Sequence, residues 1–294
     1  MRREAKDRIA STLTGAAAIF CLVLTFGIAL ALLAKSQPIL ASNSIGRLLL
    51  GSAWHPMKHE FGLLPFIVGT LWVSGLSMAI GIPVCLLTAI YISEYAPRHL
   101  RSLAKPLLDL LAGIPPVVFG LWGVLAIVPF VGGLAARSGS ASTGYSILAG
   151  GIVLAIMIFP IIISVTDEVL RKVPVEARAA SLALGATRWQ TTKHVVLRAA
   201  LPGVFAAIVL GFSRAFGETM AVLMVVGNVP ILPRSLFDPA YPLPALIANN
   251  YGEMMSIPLY DSALMFAALV LLLVVLLFNL AATLVLRGLE KRIA

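Results

Sequence analysis

The sequence predicts an all-α integral membrane protein with six transmembrane helices, and three observations carry that prediction. Only 12% of the 294 residues are charged while 60% are hydrophobic. A soluble domain carries about 25% charged residues, so this chain has roughly half of what a globule needs to face water. Its mean hydropathy is +0.98. Apolar runs reaching the ~20 residues that a helix needs to cross a ~30 Å hydrocarbon core occur six times, at roughly 12–34, 63–92, 104–134, 146–166, 202–226 and 262–286.

Residues 1–11 form a basic tail ahead of the first run, 12–34. Its apolar part is about 23 residues, longer than the 7–15 of a cleaved signal peptide, so it reads as a retained anchor. Residues 35–62 are a loop. The second and third runs hold Gly and Pro and are expected to tilt, kink or re-enter. Residues 63–286 make one unit of five further spans, and 287–294 a second basic tail. Placing the N-terminus in the cytoplasm puts 16 of the 22 Lys and Arg on that side. Only Lys35, Arg47, Lys58, Arg137 and Arg234 fall opposite, and Arg214 lies in the membrane. Both termini are therefore expected to be cytoplasmic. The net charge of +9 follows from that rule and from anionic lipid, and calls for no nucleic acid.

Cys21 and Cys85 fall in the first two spans and suit packing, not a disulfide or metal framework. The four histidines are scattered, so no metal site is expected. No G-x-x-x-x-G-K-[ST] phosphate loop, dinucleotide fingerprint or triad cluster occurs. The chain reads as no enzyme and as needing no cofactor of its own. Any uphill work draws on an ion gradient or a second polypeptide.

Between the fourth and fifth spans lies the longest cytoplasmic stretch, "TDEVLRKVPVEARAASLALGATRWQTTKHVVLRAALPG" (166–203). Val173-Pro174 suits a helix start, and the helix-forming "EARAASLAL" meets a C-terminal cap at Gly185. A second short helix follows from Thr187. Pattern alone leaves open a knob for a partner or an amphipathic helix resting on headgroups.

Within "GFSRAFGETMAVLMVVGN" (211–228), Arg214 and Glu218 stand i, i+4, one turn apart on one helix face, where they can pair. Entry of the fifth helix near Val204 puts Arg214 ~15 Å deep, near the midplane. An unsupported Arg there costs at least ~2.5–3.5 kcal/mol, and intramembrane ionisable residues are by default functional. Gly211, Ser213, Gly217 and Thr219 are small enough for a neighbouring backbone or a ligand to approach. A planar guanidinium suits a tetrahedral oxyanion. Glu218 is expected to neutralise Arg214 when the path is empty. Lys105, Asp109 and Glu94 read as interface or loop residues, and Trp54, Trp72 and Trp122 as belt or packing residues.

The loop "VPVEARAASLALGATRWQTTKHVVLRAALPG" resembles the coupling loop of ABC importer permeases, whose pattern is E-A-A, three residues, G, then I-x-L-P. Gly185 takes the glycine position, and Ala179, Ala180 and Ser181 fall on E-A-A. Ala179 thus replaces the pattern's glutamate, with Glu176 one turn earlier. The downstream proline position holds Arg198, and Pro202 lies four residues on. "FGLLPFIVGTLWVSGLSMAIGIPVCLLTAIYISEYAPRHLR" (61–101), "LLDLLAGIPPVVFGLWG" (107–123) and "SRAFGETMAVLMVVGN" (213–228) closely resemble the phosphate transporter permeases of the Pst type, and "GETMAVLMVVGN" looks like the PstC one of the two paralogues. Pro116 stands where that family often has serine.

The resemblance implies a type I ABC importer permease fold in a bacterial inner membrane. It implies an ATP-driven importer of inorganic phosphate with a PstA-like second permease, a PstB-like ATPase dimer and a PstS-like extracytoplasmic binding protein. ATP and Mg are then used by the partner ATPase. Arg214, Glu218, Ser213 and Thr219 are expected along the substrate path. Glu176, Ala179, Ala180, Ser181, Gly185, Ala186, Thr187 and Arg188 are expected on the ATPase coupling loop, about 167–201. Another oxyanion (molybdate, tungstate or sulfate), or a membrane role in phosphate sensing, remains the alternative.

Overall fold

A computed structural model describes residues 2–253 and 257–293, without the side chains of 2–8 and 289–293. The tail cations Arg2, Arg3, Lys6, Arg8, Lys291 and Arg292 are thus outside the described side chains. Among the described residues six helices are long and apolar enough to cross a membrane: Ile9–Ser42, Leu64–Tyr95, Pro116–Arg137, Ile147–Arg171, Arg188–Gly217 and Tyr260–Gly288. The count is the predicted one. Three of the spans differ most from their predicted bounds: the first helix runs on to Ser42, through residues 35–42 of the expected loop, and the third and fifth differ as follows.

The chain opens with α1 (Arg2–Ser42) and α2 (Ile45–Leu50), then a small hairpin, β1 (Trp54–His55) and β2 (Glu60–Phe61). Helix α3 (Leu64–Ile90) continues as a π-helical turn, Tyr91–Tyr95, and is followed by α4 (Arg98–Gly113). The next span comprises α5 (Pro116–Trp122), a π turn and α6 (Val128–Arg137). Helix α7 (Ile147–Lys172) leads through α8 (Val175–Ala183) to α9 (Arg188–Thr191), which runs through another π turn into α10 (Leu197–Gly217). Short helices α11 (Met220–Val225) and α12 (Leu243–Asn250) precede α13 (Tyr260–Ile293).

The predicted third span, 104–134, started too early. Residues 98–113 form the separate helix α4, which buries no residue. Its charges Arg98, Arg101, Lys105 and Asp109 alternate with exposed Leu100, Leu103, Leu107 and Leu110, the composition of a helix lying along an interface. It stops at "GIPP" because a residue preceding proline is pushed out of the helical region; Ile114 is extended at φ −68°, ψ 127°. The predicted fifth span, 202–226, is corrected at both ends. The second loop helix is not separate from it, since Arg188–Gly217 is one continuous span, and it ends at Gly217 instead of running to 226.

Helix α7 is the centre of the bundle: 67% of its membrane stretch is buried, against 17% for α13 and none for α1. It packs along α3 and α10 and touches α4, α5 and α11. Glycines let it approach, because helices in lipid associate by close van der Waals packing and not by hydrophobic expulsion. Gly151 faces Leu76 of α3, and Gly203 and Gly211 of α10 face Val169 and Ile162 of α7. The buried core includes Val73, Cys85, Leu154, Ile158, Ile162, Val204, Val222 and Val225. A second cluster sits at the hairpin end of the bundle. There Trp54 meets Phe61 and Phe66 edge-on at 5.6 and 5.0 Å, joining Ile39, Leu48, Tyr241 and Tyr260. Trp54 therefore serves packing. Helix α1 lies against α13, and α13 meets α10 through Phe212 stacked on Phe278 at 3.5 Å and the Ser213 hydroxyl donating to Asn279 Oδ1 at 2.8 Å.

The turn between α6 and α7 requires Gly144. Its φ is +93°, and a Cβ there would overlap the Val128 carbonyl oxygen. Gly144→Ala is expected to cost at least ~1–3 kcal/mol from backbone strain alone, seen as a fall in the unfolding temperature of the detergent-purified protein. Gly133→Ala, whose Cβ meets nothing within 4 Å, should be neutral or slightly stabilising in the same assay. For the α10–α13 seam, a Ser213→Ala/Asn279→Leu double-mutant cycle should give a coupling of about 0.6–1.7 kcal/mol, the range of hydrogen bonds between membrane helices. A coupling of zero would show that the bond contributes nothing.

Candidate functional site

Helix α10 carries Arg214 in its last turn and ends at Gly217. Glu218 is extended at φ −75°, ψ 122°, and Thr219 caps the next helix, α11. The expected one-turn relation of Arg214 and Glu218 on a single helix face is therefore not realised. Glycine is a poor helix former, and the Glu218 carboxylate takes another partner: Oε1 accepts the Ala221 N–H at 3.3 Å. That N–H belongs to the start of α11, where backbone donors lack helical acceptors and favour an anion. The expected ion pair is absent. Among the described side chains, ion pairs form at His55–Glu60, Asp167–Arg171, Glu168–Lys172 and Glu94–Arg178.

Arg214 is left half-buried, its Nε buried without a hydrogen-bond partner. Beside it Gly217 is exposed, with open space where a side chain would stand. Thr219 donates its hydroxyl to the Gly217 carbonyl at 3.3 Å. The structure thus brings Arg214, Gly217, Glu218 and Thr219 together at the end of the fifth span, where α10 gives way to α11; Arg214 stands in the last turn of that span and not at its middle, as expected from an entry near Val204. Ser213 is turned away, spent on Asn279.

Three neighbours escaped the sequence reading. Asn279 interrupts the Leu/Val run of α13, and its own amide donates to the Val275 carbonyl at 3.0 Å; a polar residue inside an apolar span was the available signal. Thr70 and Ser74 of α3 line a crevice with Glu218, Pro242 and Pro244. At about 10 Å³ it holds at most one water. Thr70 links α3 to the start of α12 by accepting the Leu243 N–H at 2.8 Å. No local pattern marks a contact spanning that much sequence.

The loop residues form the expected elbow. Pro174 precedes α8, and the helix closes with Gly185 at φ +83°, its N–H donating to Leu182 O at 3.0 Å and that of Ala186 to Ser181 O at 3.3 Å. This pair of bonds is the Schellman ending that favours glycine. Thr187 and Gln190 cap α9 reciprocally, Gln190 N–H to Thr187 Oγ1 at 3.2 Å and Thr187 N–H to Gln190 Oε1 at 2.8 Å. The Ser181 and Thr191 hydroxyls bond across the elbow at 2.9 Å. Glu176, Ala179, Ala180, Thr187 and Arg188 are exposed, and Ala186 is half-buried. Val175, Leu182, Leu184 and Trp189 are exposed apolar residues of this elbow, Leu184 at 90% exposure.

Arg178 is one of the cytoplasmic cations and Glu94 an expected interface or loop-pairing residue; the structure pairs the two at 3.0 Å, joining α8 to the turn after α3. Lys105 and Asp109 do not pair with each other; they line a cavity of about 680 Å³ between α4 and α7, together with Arg98, Asp167, Glu168 and Arg171.

Residues 81–294 match the family described as the binding-protein-dependent transport system inner membrane component. YqgH of Bacillus subtilis, a probable ABC transporter permease protein, is 42% identical over 77% of this chain and 73% of its own length. The phosphate transport system permease protein PstC of Mesorhizobium japonicum is 34% identical over 97% of this chain and 91% of its own. Among solved structures, an inward-facing form of the MetNI methionine ABC transporter aligns at TM-score 0.60 and 21% identity, over 81% of this chain and 99% of that one. A bacterial ABC transporter involved in alginate import aligns at 0.59 and 17%, over 86% and 89%. These two likenesses concern the fold alone, which is that of type I ABC importer permeases. By sequence and by architecture, the chain belongs to the binding-protein-dependent transport system inner membrane components, among the PstC-type permeases.

Proposed function

We propose that this chain is one of two homologous permeases forming the path of an ATP-driven inorganic phosphate importer in a bacterial inner membrane, with both termini cytoplasmic. The partners are a PstA-like permease, a PstB-like ATPase dimer that receives α8 and the exposed apolar residues of its elbow, and a PstS-like binding protein at the hairpin end. ATP and Mg²⁺ are used by the ATPase.

The observation that carries the reading is Arg214, a guanidinium with a buried unpartnered Nε in the last turn of a membrane-spanning helix. A permanently charged, planar set of donors fits a phosphate oxyanion. Glu218, held by the start of α11, leaves those donors free. Its charge, four residues on, keeps the local potential from gripping the anion too tightly, and a conduction site must release what it binds.

The test is radiolabelled phosphate uptake by cells expressing the full complex, with membrane levels of the complex checked. A charged hydrogen bond contributes ~1.5–3 kcal/mol, so Arg214→Ala should lower sub-saturating uptake about 10- to 100-fold. Arg214→Lys, with charge but no fork, should fall between. Uptake at the wild-type rate in an assembled Arg214→Ala complex would remove Arg214 from the path. Excess sulfate or molybdate should leave uptake unchanged; if either abolishes it, the anion is not phosphate in particular.

A further inference from the structure

Proline has no N–H, so inside or just after a helix it strands the carbonyl four residues before it. Pro97 does this to Ser93 at the end of α3, and Pro174 to Leu170 at the end of α7. In both places an arginine four residues beyond the proline turns back to supply the missing donors. Arg101 donates from Nη2 to Ser93 O and from Nε to Ile92 O at 3.1 Å. Arg178 donates from Nη2 to Leu170 O at 2.7 Å and from Nη1 to Val173 O at 2.6 Å; Leu170 O also accepts the Val173 N–H, at a long 3.4 Å. "SEYAPRHLR" (93–101) and "LRKVPVEAR" (170–178) are thus the same device, used twice.

The two devices meet. Arg178 Nη2 also donates to Glu94 Oε1 at 3.0 Å, with side chains only 19% and 14% exposed. Glu94 lies in the π-helical end of α3, so one guanidinium ties α8 to the ends of both α7 and α3. Helices α7 and α8 are joined by Val173 and Pro174, both outside the helical region (φ −64°, ψ 129° and φ −55°, ψ 139°), so no helical ladder carries across this joint; at its other end α8 is held to α9 by the Ser181–Thr191 bond.

We propose that Arg178 and Glu94 are positioning residues that lock this joint, so that a push on α8 reaches α7 and α3 undiminished instead of being absorbed at Val173–Pro174. The inference rests on the reading of α8 as the element that receives the ATPase.

The complete complex in proteoliposomes, with ATPase and binding protein, gives phosphate uptake and ATP hydrolysis side by side. In Arg178→Ala and Glu94→Gln, hydrolysis should stay within about threefold of wild type while phosphate moved per ATP falls roughly tenfold. Arg178→Lys should fall between. A phosphate-independent readout uses spin labels at the exposed positions Leu103 and Leu184, with Cys21 and Cys85 replaced. The inter-label distance should be narrow in the otherwise unaltered chain and broad in both variants. Unchanged distances, or uptake and hydrolysis falling in equal proportion, would overturn the lock. If the wild-type complex moves no phosphate, the proposed function fails, and the label distances still decide the lock.

Discussion

No water reaches the middle of a bilayer, so every backbone N–H and C=O there must find its partner inside the protein. The rest of this structure follows from that constraint. It explains why the spans are nearly unbroken helices even where proline occurs inside them, at Pro38, Pro83, Pro160 and Pro202. It explains why two of the three π turns, Tyr91–Tyr95 and Gly123–Ile127, lie just ahead of Pro97 and Pro129, where the hydrogen-bond register must shift to cover a missing donor. Past Gly217, where the span ends, the backbone between α10 and α11 leaves the helix, yet its polar groups still find partners inside the protein. Here the Glu218 N–H bonds back to Ala215 at 3.4 Å and its carboxylate accepts from Ala221, so the break is internally satisfied while Arg214 is not.

Two arginines show how position decides use. Arg178 spends Nη1 and Nη2 on two helix-end carbonyls and a carboxylate, which makes it a structural tie. Arg214 has no such set of acceptors, although it lies in the last turn of α10, where free carbonyls favour a cation. A cation left partly buried without a partner is costly, and only its Nε is wholly buried here.

The architecture was legible because lipid imposes a coarse code of length and apolarity, and six runs satisfied it. Gly185 was legible because a helix ending in the left-handed region has few substitutes for glycine. The Arg214–Glu218 pair was misread because i, i+4 spacing has meaning only while the helix continues, and Gly217 lies between the two. The start of the third span was misread because leucines carried the apolar count through "GIPP", although Ile114 before Pro115 marked the stop. Contacts such as Arg178–Glu94 and Ser213–Asn279 join residues far apart in the chain, and no local spacing encodes them.

The same packing that makes α7 central also fixes what it can transmit. Its far end is tied to α8 by Arg178, and along its length Val169 and Ile162 seat against Gly203 and Gly211 of α10. A Cβ at either glycine would collide with those side chains, so the two helices sit closer than ordinary side chains allow and have little room to slip past one another. Gly211 lies one turn before Arg214. From Arg188 to Gly217 the helix is continuous and closely seated on α7, and its backbone first leaves the helical region at Glu218, one turn beyond Arg214.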